Sequence, residues 1–240
     1  MPEGSARKQE VEMAISYFDQ VLSRGRDMIK EATLGKANAL ALSDSDAQRK
    51  ESFELFTKLA ASTDPSIVGP ALMGLTDLNM NIKNYKAAVE SASKFMNVRG
   101  GSTPRERLSM MLKLGEAYCA SGDVQSGLQT YMNLYSQNRG NITFSAPACK
   151  AMMEQYWKRN APATGDRMKG NYKQSDRWLA WNTGQSYVDQ IKRAGIEAKM
   201  TPAERDLFNE VTLLLNQYAK DPKVQAEDKA RKAFQAQLTK

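Results

Sequence analysis

The chain has 240 residues, 41% hydrophobic and 25% charged, with 15 Gly and 8 Pro, an ordinary folded composition that excludes disorder over most of its length. It has no His and only two Cys, which excludes Ser-His-Asp and Cys-His catalysis, His-ligated zinc and a histidine pH switch. The net charge of +7 is lopsided: residues 1–140 hold 17 Lys and Arg against 16 Asp and Glu, whereas residues 141–240 hold 17 against 11.

Apolar residues recur at helical spacing along almost the whole chain, and no run alternates β-branched residues as a half-buried strand does. The spacing predicts a first helix over residues 10–23 with Ala14, Phe18 and Val21 on one face, ended by Arg24-Gly25. A second helix, over residues 27–42, begins at Asp27. Residues 43–46 supply polar caps for a third over 47–61, whose apolar stripe is Phe53, Phe56, Leu59 and Ala60 and which Asp64-Pro65 stops. Helices over 67–81 and 84–97 follow, then a glycine-rich loop at 99–102 and a helix start at Thr103-Pro104. Residues 108–139 read as a helix pair turning at Gly122-Asp123. Beyond Asn138 the pattern loosens. A helix over 144–158 carries Met152, Met153, Tyr156 and Trp157, and a long loop covers 160–173. Helices over 174–194 and 202–220 come next, the latter opened by the capping sequence Thr201-Pro202-Ala203-Glu204, and a last one starts at Asp221-Pro222. No stretch approaches the roughly 18 apolar residues of a membrane span, and no secretory signal opens the chain.

A small residue followed four and seven positions later by apolar ones recurs on these helices. The phrase reads Ala14-Phe18-Val21, Ser52-Phe56-Leu59, Ala88-Ala92-Phe95 and Gly127-Tyr131-Leu134, at intervals of 38, 36 and 39 residues. Gly184-Val188-Ile191 repeats it, and Ala230 and Phe234 hold the same places in the last helix. The small residue lets two helices approach while its larger neighbours fill the space beside the contact. A period of this length marks stacked helix pairs. Within residues 108–139, Leu114-Gly115, Tyr118, the Gly122-Asp123 turn, Gly127, Tyr131 and Leu134 resemble the tetratricopeptide repeat (TPR). Residues 72–95 give a weaker copy with Leu75, Asn84-Tyr85 and Ala88-Val89. Helix-turn-helix solenoids outside that family produce the same spacing.

The resemblance implies an all-α fold, a right-handed α-α solenoid of about five TPR-like helix pairs plus an unpaired N-terminal helix. A single array then covers residues 1–240, with regular repeats over about 10–140 and irregular, long-loop repeats over about 141–240. An array that opens on the second helix of a pair reads as cut from a longer chain. The compartment stays open: the chain as written reads as cytoplasmic, and as a fragment of an exported bacterial protein it reads as periplasmic.

Carried over residue by residue, the family's inner groove takes Met73, Asp77, Met80 and Asn81 from one repeat and Ser109, Leu112, Glu116 and Cys119 from the next. Such a mixed apolar and weakly acidic groove suits a peptide or helix of a partner protein, although Met73 and Met80 equally suit core filling. Family members that clamp acidic chaperone tails use Lys and Asn at fixed groove positions. This chain has Lys36, Asp77 and Glu116 at one such series, so that ligand is not expected.

A second candidate surface is basic: Lys158, Arg159, Arg167, Lys169, Lys173 and Arg177, interleaved with Trp157, Tyr172, Trp178 and Trp181. Cations among aromatics grip phosphates and stack on bases, attract an acidic protein, or decorate a loop beside a packed tryptophan cluster. The acidic pairs Glu51/Glu54 and Asp206/Glu210 read as solvated, ion-paired helix faces. The sequence holds no phosphate-binding loop, dinucleotide fingerprint or nucleophile elbow, and Cys119 and Cys149 read as buried reduced thiols. No catalytic residue, metal site or cofactor is expected. The expected function is a non-enzymatic protein-protein interaction scaffold binding a peptide or helix in the concave groove. The alternatives are a nucleic-acid or phosphate-binding helical module using the basic C-terminal part, and the helical portion of a larger enzyme.

Overall fold

A computed structural model describes residues 3–25 and 28–238, with side chains from Lys8 onward. Among the described residues it is all-helical, as the periodicity predicts. Eleven α-helices follow one another: α1 Glu3–Ser23, α2 Ile29–Ala41, α3 Asp46–Ala60, α4 Pro65–Asn81, α5 Tyr85–Asn97, α6 Pro104–Ala120, α7 Val124–Gln137, α8 Ile142–Arg159, α9 Asp176–Arg193, α10 Pro202–Tyr218 and α11 Pro222–Leu238. Asp27, the expected start of the second helix, lies outside the described residues. The chain divides into two compact units, residues 1–122 and 123–240.

Local chemistry sets most helix ends. Gly25 closes α1 in the left-handed region at φ 59°, where a side chain would be strained. Thr103 and Glu106 form a reciprocal capping box at the start of α6: the Glu106 amide donates to Thr103 Oγ1 at 3.2 Å, and the Thr103 amide donates to Glu106 Oε2 at 2.6 Å. Thr201 and Glu204 repeat this at α10. Asp64-Pro65 does more than stop α3. Asp64 accepts the Ser66 amide at 3.0 Å and Pro65 occupies the first turn, so the dipeptide opens α4.

In the first unit each helix packs on the next, and α4 also touches α2 and α6. Two buried contacts recur there. Ser52 Oγ donates to the Ala37 carbonyl at 2.7 Å, and 39 residues further on Thr76 Oγ1 and Ser91 Oγ lie 3.0 Å apart. Phe18 packs on Gly35, where an added Cβ would come within 2.3 Å of the ring, and Phe56 packs on Gly74 at the same separation. Ser52 thus corresponds to Ser91 and Phe56 to Phe95, a step of 39 residues. The expected step of 36 slips by about one helical turn. The slip arises because Ala88, Ser91, Ala92 and Phe95 are all buried, so small residues occupy two successive turns of α5. Phe53, expected on the apolar stripe of α3, is 38% exposed, and Ser52 takes the inner position instead.

In the second unit α7 packs on α8 and α8 on α9, α10 lies against both α8 and α9, and α11 rests on α9. Cys149, Met153, Tyr187, Ile191 and Val211 form the centre of its core. Gly184, Val188 and Ile191 are buried as the recurring phrase predicts, and a Cβ on Gly184 would lie 2.6 Å from the Met153 methyl. The phrase fails in α11, where Ala230 is exposed and Phe234 half-buried, because Val224 makes the buried contact of that helix.

Candidate binding surfaces

The eight residues assigned to a groove all lie on α4 and α6, two helices in contact. At about 100° per residue, Met73, Asp77 and Met80 share one face of α4, whereas Leu72, Leu75 and Asn79 point the other way. Met73 is half-buried and packs against the core of the first unit, so one of the two methionines serves partly as core filling. Met80, Ser109, Leu112 and Cys119 are half-buried, and Asn81 and Glu116 are exposed. Asp77 forms an ion pair with Lys113 of α6, which ties the two helices together and cancels part of the expected acidity. Lys113 was not among the expected groove residues. The signal for it is an opposite charge one repeat further along the chain.

Lys36 is committed inside the protein. Its ammonium lies 2.8 Å from both Asp19 and Glu51, linking α2 to α1 and α3. Hydrogen bonds to Asp19 and then Glu51 push its pKa up. No metal-binding group of three or more His, Cys, Asp or Glu occurs among the described residues, and no helix described is long and apolar enough to cross a membrane. Both cysteines are thiols. Cys149 is fully buried, and desolvation pushes its pKa up, whereas Cys119 is half-buried rather than buried as expected.

The basic segment in the second unit is built around two carboxylates. Asp176, only 2% exposed, accepts Arg159 Nε at 2.7 Å, Arg159 Nη2 at 2.6 Å and the Ala161 amide at 2.8 Å. These bonds close the loop between α8 and α9 at its base. Burial pushes the Asp176 carboxyl up, but the Arg159 guanidinium and the Ala161 amide outweigh it and hold the group below the usual carboxylate range. Glu227 of α11 accepts the Tyr172 hydroxyl at 2.9 Å, the Ser175 amide at 3.0 Å and the Ser175 hydroxyl, fastening the last helix to the loop.

The remaining aromatic and cationic groups stack on each other. Trp157 lies flat on Tyr218 at 3.7 Å between ring centroids, and Arg177 sits 4.5 Å above the Trp157 ring while bonding Asn160 and pairing with Asp221. Arg167 covers the Tyr172 ring at 3.7 Å. Residues 164 and 173 exchange backbone hydrogen bonds of 3.0 and 2.8 Å, and Gly165 at φ 81° sits so close to Asn171 that a Cβ would meet its carbonyl oxygen at 2.3 Å. Three of the six expected cations, Arg159, Arg167 and Arg177, therefore hold the loop in shape. Lys158, Lys169 and Lys173 make no such side-chain contact among the described residues.

A recess that the periodicity does not mark lies on the far side of α4, between α3 and α5, with Phe53 and Asn79 in its lining. Compared with known proteins, the sequence matches no family model and no curated relative.

Proposed function

We propose that the protein is a non-enzymatic interaction scaffold whose TPR-like helix pairs wind as a right-handed solenoid and whose α4–α6 face receives a peptide or helix of a partner protein. The carrying observation is the row formed by α2, α4 and α6, each touching the next, with Met80 and Leu112 partly exposed along it. Thioether and leucyl groups on neighbouring helices offer adaptable apolar contact. The Asp77–Lys113 pair keeps the face near neutral, which favours an apolar or amphipathic ligand over a strongly charged one. The engagement of Arg159, Arg167 and Arg177 within their own loop supports a protein ligand over nucleic acid, because phosphate binding draws on uncommitted cations.

The test compares two variants in affinity capture from the source cell. Met80→Glu with Leu112→Glu should lose the protein partner retained by wild type, whereas Arg167→Glu with Lys169→Glu and Lys173→Glu should keep it. Recovery of nucleic acid that disappears only in the second variant would overturn the reading.

A further inference from the structure

The recess between α3 and α5 is a trough with a defined length, floor and chemistry. Two adjoining cavities of about 520 and 310 Å³ share Phe53 and Asn79. One wall is a single stripe of α3, with Asp46, Lys50, Phe53, Thr57 and Ala60 at alternating steps of four and three. At 1.5 Å per residue that stripe is about 21 Å long. The opposite wall is the stripe Ala87, Ser91, Lys94 and Val98, and α4 supplies an apolar floor through Leu72 and Leu75. At the open edge Phe53 and Ile82 are 38% and 60% exposed.

Asn79 is the unusual group on this floor. It is 3% exposed, its Nδ2 donates to the Leu75 carbonyl at 2.8 Å, and its Oδ1 has no hydrogen-bond partner among the described residues. The bond to Leu75 fixes the amide orientation, since a flip would set two acceptors against each other. A buried carbonyl oxygen without a donor costs stability that an apolar residue there would not. Charge adds a direction. Asp46 and Arg49 neutralise each other at 2.5 Å, while Lys50, Lys94 and Glu90 line the walls without an ion pair among the described residues, leaving the two walls with one positive unit.

We infer that this trough is a second docking site, which takes an acidic amphipathic helix of about four turns from a partner protein. Two parallel stripes over an apolar floor are the seat that a further helix fills in ridge-and-groove packing. Its apolar stripe lies on Phe53, Leu72 and Leu75, and its acidic residues face Lys50 and Lys94. Asn79 Oδ1 is covered in the free chain, so its donor is a long side chain such as Gln or Trp that reaches it as the walls part on binding, the backbone amides of a helix being already bonded. Asp77 and Asn79 are two residues apart, about 200° around α4, so this site and the α4–α6 face are separate and each can fail without the other.

The probe is a labelled 15-residue helical peptide with Leu at steps of three and four, one central Gln and Glu elsewhere, compared with a twin carrying Lys for Glu. Fluorescence anisotropy with the full chain should show saturable, salt-sensitive binding of the acidic peptide, with hydrogen exchange slowed in α3 and α5. Phe53→Asp should weaken binding at least tenfold, and Lys50→Glu with Lys94→Glu should transfer the preference to the basic twin. Asn79→Leu should weaken binding severalfold without lowering the thermal midpoint, which a purely structural Asn79 would not allow. Met80→Glu should leave binding unchanged. Absence of saturable binding up to millimolar peptide overturns the proposal, as does protection confined to the α4–α6 face or indifference to Phe53→Asp. Slowed exchange in α3 and α5 on raising the protein concentration alone would assign the trough to a second copy of the chain and equally overturn it.

Discussion

A Cβ on Gly74 would lie 2.3 Å from Cζ of Phe56, a fully buried ring, so glycine and ring form one fitted contact between α4 and α3. Alanine would gain up to about 1 kcal/mol of helix propensity over glycine at this position. Overpacking against a ring that has no space to retreat costs about 1–3 kcal/mol, and the clash wins. Gly74→Ala should therefore destabilise by about 1–2 kcal/mol in urea denaturation. In a Phe56→Leu background the same change should become neutral or stabilising, and an unaltered penalty there would separate the two residues.

The 39-residue register has its own test. Ser52→Ala and Ser91→Ala remove side-chain hydrogen bonds at corresponding buried places and should each cost about 1 kcal/mol. Ala88→Ser, the substitution that would mimic Ser52 under a 36-residue step, should not rescue Ser91→Ala in thermal denaturation.

Asp176 anchors the base of the long loop. Asp176→Ala would leave Arg159 facing solvent, since its side chain is already 39% exposed, so the loss should fall below that of a fully buried pair. About 1–3 kcal/mol is expected from the lost charged hydrogen bonds. Exchange at the Ala161 amide should accelerate, and tryptophan emission should shift as the Trp157 stack loosens. Arg159→Lys should fail to restore wild-type behaviour, because an ammonium cannot present the two parallel N–H groups.

The same carboxylate sets an acid sensitivity. Its folded pKa lies below the unfolded value, so its stabilisation is complete above the ordinary carboxylate range, near pH 4, and is lost as pH falls through the depressed folded value. The thermal midpoint of wild type should drop across that acidic window. Asp176→Asn, which carries no titrating proton, should show a shallower drop, and identical profiles would deny the group this role.

Cys149 sits in the apolar core of the second unit with its thiol pKa pushed up by desolvation. A maleimide should not label it in the native protein but should label it on unfolding. Cys149→Ala should consequently leave native labelling unchanged.

Helix positions were legible from the sequence because local chemistry determines them. Thr103 with Glu106, Thr201 with Glu204, Pro65 and Gly25 act within a turn of their own backbone, and apolar periodicity of 3.6 residues requires no partner to be read. The candidate groove residues were legible only as far as their helices, since Asp77 reveals its charge balance only once Lys113 is beside it. Tertiary structure alone decided the register of α5, where Ala88, Ser91 and Ala92 satisfy the same pattern one turn apart and only the contact with Thr76 selects Ser91. It also decided what the basic loop does, because a row of Arg, Trp and Tyr residues specifies charge and area but not that Asp176 meets Arg159, Glu227 meets Tyr172 and Tyr218 meets Trp157 across 17 to 61 residues of sequence. The trough between α3 and α5 belongs to the same class. Its walls come from α3 and α5, which both pack on α4, and a cavity is a property of the space between elements, which no single stretch of sequence encodes.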